Sequence, residues 1–243
     1  MAISIWDIYN QSLIRVNKEQ SGRSFSVVQF NTVAKFVNML YLKYKIGLPE
    51  SYQIGMPVAP QRWQVSQKIS DDLRWLLTWM GGPDKPMLQL DQYGVAEVPT
   101  DYMAFSSCYY VQNYTDCDEV TQEVPRQITF VSDAVWADRM SCAINKPTFK
   151  YPIAKWFGDK IQFAPVVSNF VHFTYIRKPV EPFLAVTIDS NNDYVYDPAN
   201  SVNFEYPEVC RPDIENLIFG IMTGSIQSQL HIQLAQSQLN KGV

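Results

Sequence analysis

Apolar positions in the first third of the chain recur at helical spacing. Ile5, Ile8, Tyr9, Leu13 and Val16 fall on one face, and Ser4 with Asp7 forms the capping box that opens such a helix. Gly22 ends it. Ser26 with Gln29 makes a second capping box, across which Phe25 can staple onto Phe30. Val28, Thr32, Val33, Phe36, Val37 and Leu40 then give one apolar stripe, stopped by Gly47 and Pro49. Residues 48–60 carry three prolines and read as a connection. A third helix is predicted from about Trp63 to Met80, with Ile69, Leu73, Leu76, Leu77 and Met80 inward and Trp75 and Trp79 on a second edge. Gly81, Gly82 and Pro83 close it.

The middle of the chain changes period. Prolines become frequent and short runs of Val, Ile, Phe and Tyr dominate, which predicts strands. They fall at Met87–Leu90, Tyr102–Tyr110, Gln127–Val131, Lys160–Ala164, Val171–Arg177, Phe183–Ile188 and Val202–Tyr206. Gly158 and Asp159 make a hairpin turn between Ala154–Phe157 and Lys160–Ala164. Ser132 caps a short helix over 132–142. The end returns to helical spacing: Pro212 suits a first turn, and Ile214, Leu217, Ile218, Ile221, Leu230 and Leu234 mark one face. Gly220 and Gly224 form a GxxxG step for close helix packing. The pattern is α+β: a helical bundle of the N-terminal helices and a long C-terminal helix, with an inserted antiparallel β-rich module. The expected parts are 1–82, 83–207 and 208–243, the last packing on the first.

Composition narrows the class. In 243 residues, hydrophobic side chains make up 47% and aromatics 14%, which excludes general disorder and supports a core without disulfides or a structural metal. Charged residues are 18%, below the roughly 25% of an average soluble domain, as in chains that bury surface against partners. The net charge of −4 does not suggest a general nucleic-acid binder. Neither a signal peptide nor an apolar run long enough to cross a membrane is indicated.

Candidate chemistry is sparse. The chain has no GxSxG, P-loop, GxGxxG or HExxH motif, and no carboxylate pair is singled out, so the expectation is a protein that is not an enzyme and holds no cofactor or catalytic metal. Of two histidines, His172 sits in a strand pattern and His231 has no acidic or thiol partner at helical spacing. Cys108, Cys117, Cys142 and Cys210 lack zinc spacing and read as buried or half-buried thiols, with a 108–117 disulfide the other reading. The run Asp189 to Asn200 begins like a calcium loop but has Tyr194 where the sharp turn wants Gly and Asn200 where a bidentate Glu belongs, so it reads as a polar connection.

Charge order is more specific than net charge. Between Asp91 and Pro125 there are seven acids and no Lys or Arg; between Arg139 and Lys178, seven bases against Asp159; between Glu181 and Glu215, eight acids against Arg211. These blocks can pair inside one β module, meet between neighbouring subunits, or, for the basic one, contact nucleic acid. The candidate subunit-interface residues are Arg139, Lys146, Lys150, Lys155 and Lys160 on the basic side and Asp116, Asp118, Glu119, Asp193 and Asp197 on the acidic side. The glutamine-rich end, with Gln227, Gln229, Leu230, Gln233 and Leu234, is either a solvated terminus or a tail that orders on a partner.

Three stretches carry a family resemblance: Phe30 to Tyr41 with Tyr44-Lys-Ile-Gly-Leu-Pro, Asp138 to Thr148 running on through Tyr151-Pro to Tyr175-Ile-Arg-Lys-Pro, and the ending of strand, Pro-Glu, Pro212-Asp and terminal helix. They resemble head-to-tail adaptor, or portal-proximal ring, proteins of short-tailed bacteriophages infecting Bacteroidetes, including crAss-like phages. That resemblance implies a virion structural protein, made in the host cytoplasm, forming a homo-oligomeric ring of about twelve copies with heterologous contacts. Its partners would be the portal protein and other connector or tail proteins, with DNA passing through the lumen without sequence-specific binding, and no membrane. The alternative is a virion carbohydrate- or receptor-binding β module, supported by 14 tyrosines and 6 tryptophans.

Overall fold

A computed structural model describes residues 2–19, 26–46, 67–115, 121–166, 168–190 and 193–222. The chain is mixed α+β and divides into two compact units: Met1–Lys45 with Pro179–Val243, and Ile46–Lys178. The expected boundaries at 82 and 207 lie inside these units. Among the described residues no helix is long and apolar enough to cross a membrane.

The first unit joins sequence-distant segments. Strand β1 (Ala2–Ile3) pairs antiparallel with β13 (Phe204–Pro207), and α1 (Ile5–Glu19) packs on α5 (Arg211–Met222). Ser4 caps α1 by accepting the Asp7 N–H at 3.3 Å, while Ser26 and Gln29 cap α2 (Val27–Ile46) reciprocally at 3.2 and 3.3 Å. Ile5, Ile8, Tyr9, Ile214, Ile218 and Ile221 are buried as the spacing predicts. Gly22, Phe25, Gly224, Leu230 and Leu234 lie outside the described residues.

The apolar stripe expected on α2 is not the buried one. Val28 is 75% exposed and Phe36 57%, whereas Val27, Phe30, Ala34, Val37, Tyr41 and Leu42 face the core together with Asn31, Asn38 and Lys45. The cause is polar: the Asn31 amide donates to the Leu184 carbonyl at 3.0 Å and accepts the Leu184 N–H at 2.8 Å. The Asn38 side chain donates to the Val180 carbonyl at 3.0 Å, and the Asn38 backbone carbonyl accepts the Tyr206 hydroxyl at 3.0 Å. A loop backbone buried against a helix must find hydrogen-bond partners there, so two asparagines turn inward and rotate the face. Lys45 follows, reaching Asp213 at 3.5 Å.

The predicted helix over 63–80 is also corrected. Helix α3 covers Gln67–Leu73, and Leu77–Met80 is strand β2, hydrogen-bonded antiparallel to β10 (Phe170–Arg177). The Leu76 and Leu77 N–H groups close a turn onto Leu73 and Arg74, and the Arg177 N–H then donates to the Leu76 carbonyl at 2.9 Å. Thr78 and Trp79 favour strand, and sheet pairing outweighs the helical spacing of the leucines.

The second unit holds two sheets. One has the order β2-β10-β5-β6, with β5 at Tyr102–Thr115, β6 at Thr121–Gln127, and β3 (Leu88–Gln89) also paired to β10. The other has the order β4-β9-β8-β7, from Val95–Glu97, Lys160–Ala164, Ile153–Phe157 and Thr129–Phe130. The turn at Gly158, with φ +63°, joins β8 to β9 as expected. The module is not wholly antiparallel, because β7 runs parallel to β8. The predicted Gln127–Val131 strand splits, Gln127 ending β6 and Thr129–Phe130 forming β7 in the other sheet. Both sheets feed one core: Cys108, Tyr110, Phe173 and Tyr175 from the first meet Ala96, Phe130, Ala154 and Phe163 from the second. Phe130 lies 4.3 Å from Phe105 and 5.1 Å from Trp156 by ring centroid. Each such side chain contributes about 1.5–3 kcal/mol by burial.

Candidate subunit interface

Helix α4 (Asp133–Ser141) opens at Ser132, whose Oγ accepts the Val135 N–H, and ends where the Cys142 N–H donates to the Asp138 carbonyl at 3.0 Å. It buries Val135 and half-buries Trp136 and Arg139, leaving Met140 exposed. The following segment doubles back at Thr148 and Tyr151, which bridge through their backbones, and the Tyr110 hydroxyl donates to the Phe149 carbonyl. These ties hold the segment while its side chains stay outside: Ile144 is 92% exposed, and Phe149, Tyr151 and Phe157 are exposed as well. Apolar side chains gathered on a surface rimmed by charge mark contact sites.

The basic candidates fall into two groups. Lys155 donates to Asp133 at 2.8 Å and lies over the Trp136 ring at 5.4 Å, so its charge is answered within its own unit. Lys160 reaches Glu97 at 3.9 Å across exposed surface, a pair of little weight. Arg139, Lys146 and Lys150 have no carboxylate partner among the described residues, and Lys150 sits over the Tyr151 ring at 5.4 Å.

The acidic candidates divide likewise. Asp193 lies at the turn between β11 (Val186–Ile188) and β12 (Tyr194–Tyr196), its N–H donating to Asp189 at 2.9 Å and its carboxylate exposed. Asp197 is taken up locally. The Asn200 amide donates to it at 2.7 Å, and with the Asn200 and Ala199 N–H groups it holds the carboxyl below its ordinary range. The Asp189 run, expected as a polar connection, instead contains strand β12, and Asp197 caps the turn that follows it. Asp116, Asp118, Glu119 and the tail residues Gln227, Gln229, Leu230, Gln233 and Leu234 lie outside the described residues.

Two clusters invite a catalytic reading and do not sustain it. Lys85 donates to Asp101 and to the Tyr175 hydroxyl, both at 2.8 Å, and that hydroxyl donates to Asp101 at 2.7 Å. The hydrogen bond to Asp101 raises the Lys85 ammonium, and burial raises the Tyr175 phenol. Burial alone would raise Asp101, but hydrogen bonds from Lys85 and Tyr175 outweigh it and hold the carboxyl low. These shifts favour the charged ammonium and carboxylate and the neutral phenol. On the outer face of the first sheet, His172 stacks between Tyr109 at 4.5 Å and Trp79 at 6.0 Å. Its buried Nδ1 has no hydrogen-bond partner. Among the described residues no three His, Cys, Asp or Glu side chains group to hold a metal ion. Cys108 and Cys210 are buried and Cys142 is half-buried; Cys117 lies outside the described residues.

Sequence reasoning picked out the cations of this surface and missed their apolar companions, Met140, Ile144, Phe149 and Tyr151. The available signal was their place in an Asn- and Pro-containing connection with no period to bury them. No protein-family model matches the chain, and no curated protein matches it.

Proposed function

We propose that the chain is a structural, non-enzymatic virion protein that forms a ring in a phage head-to-tail connector, as portal adaptor or adjacent tail ring. In this reading about twelve copies close through heterologous contacts, hold portal to tail, and leave a lumen through which DNA passes. The helical part is a bundle completed by a long C-terminal helix, and the β-rich unit is its insertion. The observation that carries the reading is the stretch 139–157, where Arg139, Lys146 and Lys150 have no carboxylate partner among the described residues and Met140, Ile144, Phe149, Tyr151 and Phe157 are exposed. Exposed Val28, Phe36 and Tyr44 along α2 add apolar surface of the kind that assembly covers. The family resemblance supplies the identity of the assembly.

A sugar-binding reading needs aromatic rings lying open to a ligand. The outer row of Trp79, His172 and Tyr109 instead turns ring faces toward one another, at 23° and 8° between planes. Negative-stain images of the purified chain, alone and with the candidate portal protein, test the proposal. Rings or portal-bound collars support it. A monodisperse monomer that ignores the portal and binds glycans contradicts it.

A further inference from the structure

Strand β5 outruns its sheet. β10 pairs with it from Tyr102 only as far as Tyr109, whereas β6 pairs with it from Tyr109 to Thr115. The outer residues therefore form a two-stranded ribbon reaching roughly 20 Å past the last three-stranded row, at about 3.3 Å per residue. Val111, Asn113 and Thr115 face Pro125, Glu123 and Thr121 across it, and all six are exposed. Side chains opposite one another share a face, so one side of the ribbon presents the Val111–Pro125 apolar pair and then Glu123. Glu123 has no cation partner among the described residues. Arg126, the ribbon's one cation among the described residues, lies on the opposite side, where its Nε donates to Gln112 at 3.1 Å. On the other side Tyr110 is buried and Gln112, Val124 and Arg126 are half-buried, so the side with Val111, Pro125 and Glu123 is the open one, and a two-stranded ribbon gains from a surface to lie on.

We propose that the ribbon of one copy docks on the face formed by Arg139, Met140, Ile144, Lys146, Phe149 and Lys150 of a second copy. This deepens the ring reading and rests on it. The match is chemical: an apolar pair followed by an acid meets exposed apolar side chains beside three cations. Ribbon and face are different surfaces of one chain, so the contact is heterologous and repeats from copy to copy, which is what a closed ring requires. Opposite charge at its rim sets register and encounter rate, while the apolar side chains supply most of the affinity.

The test uses the full chain under conditions in which wild type assembles, alone or on the portal, read by sedimentation velocity. A face variant, Lys146→Glu with Lys150→Glu, and a ribbon variant, Glu123→Lys, should each weaken assembly by about tenfold or more, since like charges then meet. Their thermal midpoints should stay near wild type. Mixed together they should reassemble, because every contact in an alternating ring is again between opposite charges. Assembly of either variant as tightly as wild type overturns the contact and leaves the ring reading standing. Wild type that never exceeds a monomer, even with portal, overturns both. If a reversal melts the subunit, Glu123→Cys combined with Lys146→Cys decides: oxidation to a ladder of linked copies supports the contact, and links confined within single chains overturn it.

Discussion

Asn31 shows how a single side chain overrides a pattern. Its amide makes both hydrogen bonds to the Leu184 backbone, and Asn31 and Leu184 are both buried. Asn31→Ala should cost about 2–4 kcal/mol, because it strands a buried N–H and a buried carbonyl that water cannot reach. Chemical denaturation checks this, and a loss below 0.5 kcal/mol would mean the loop finds other partners. The Lys85–Asp101–Tyr175 cluster carries a pH signature. The lowered Asp101 carboxyl adds stability above its unfolded value of about 3.9, and that contribution is lost as pH falls through the folded value. The raised Lys85 ammonium contributes below about 10.4 and is lost as pH rises through its folded value. The unfolding midpoint should therefore be flat near neutrality and fall below about pH 4, with a shallower acid slope in Asp101→Asn than in wild type.

Among the elements, those signalled by turn and cap chemistry were legible. Gly158-Asp159 marks the β8–β9 hairpin, Ser132 marks α4, and Ser26 with Gln29 marks α2, because each is a local hydrogen-bond or φ requirement written in two or three residues. The face of α2 and the strand at Leu77–Met80 were not, since both depend on partners more than 90 residues away, at Leu184 and β10. The candidate site divides the same way. Its cations are visible as a run along the chain, while the exposure of Ile144 and Phe149 follows from a fold that leaves their segment outside. Two glycines measure how binding such local requirements are. Gly81 has φ +106°, and a Cβ there would collide with the His172 ring; Gly158 has φ +63° and open space. Gly158→Ala should cost about 1–2 kcal/mol, the left-handed penalty alone. Gly81→Ala should cost more, by displacing His172 from its stack. Equal losses in thermal unfolding would remove the steric part of that argument.

Across the whole molecule, charge and apolar exposure point the same way. Lys155 is answered within its own unit, whereas Arg139, Lys146 and Lys150 have no carboxylate partner among the described residues, and Ile144 and Phe149 are exposed. Apolar side chains gathered in water beside charge mark a surface that assembly covers. The account's central claim is that these surfaces close into a ring. Native mass spectrometry of the full chain, alone and with the portal protein, measures this most directly. The account predicts one dominant assembly of fixed copy number, about twelve, weakened as salt rises from 0.1 to 1 M and screening shortens to about 3 Å. A monomer at every concentration, with portal present and absent, would contradict it.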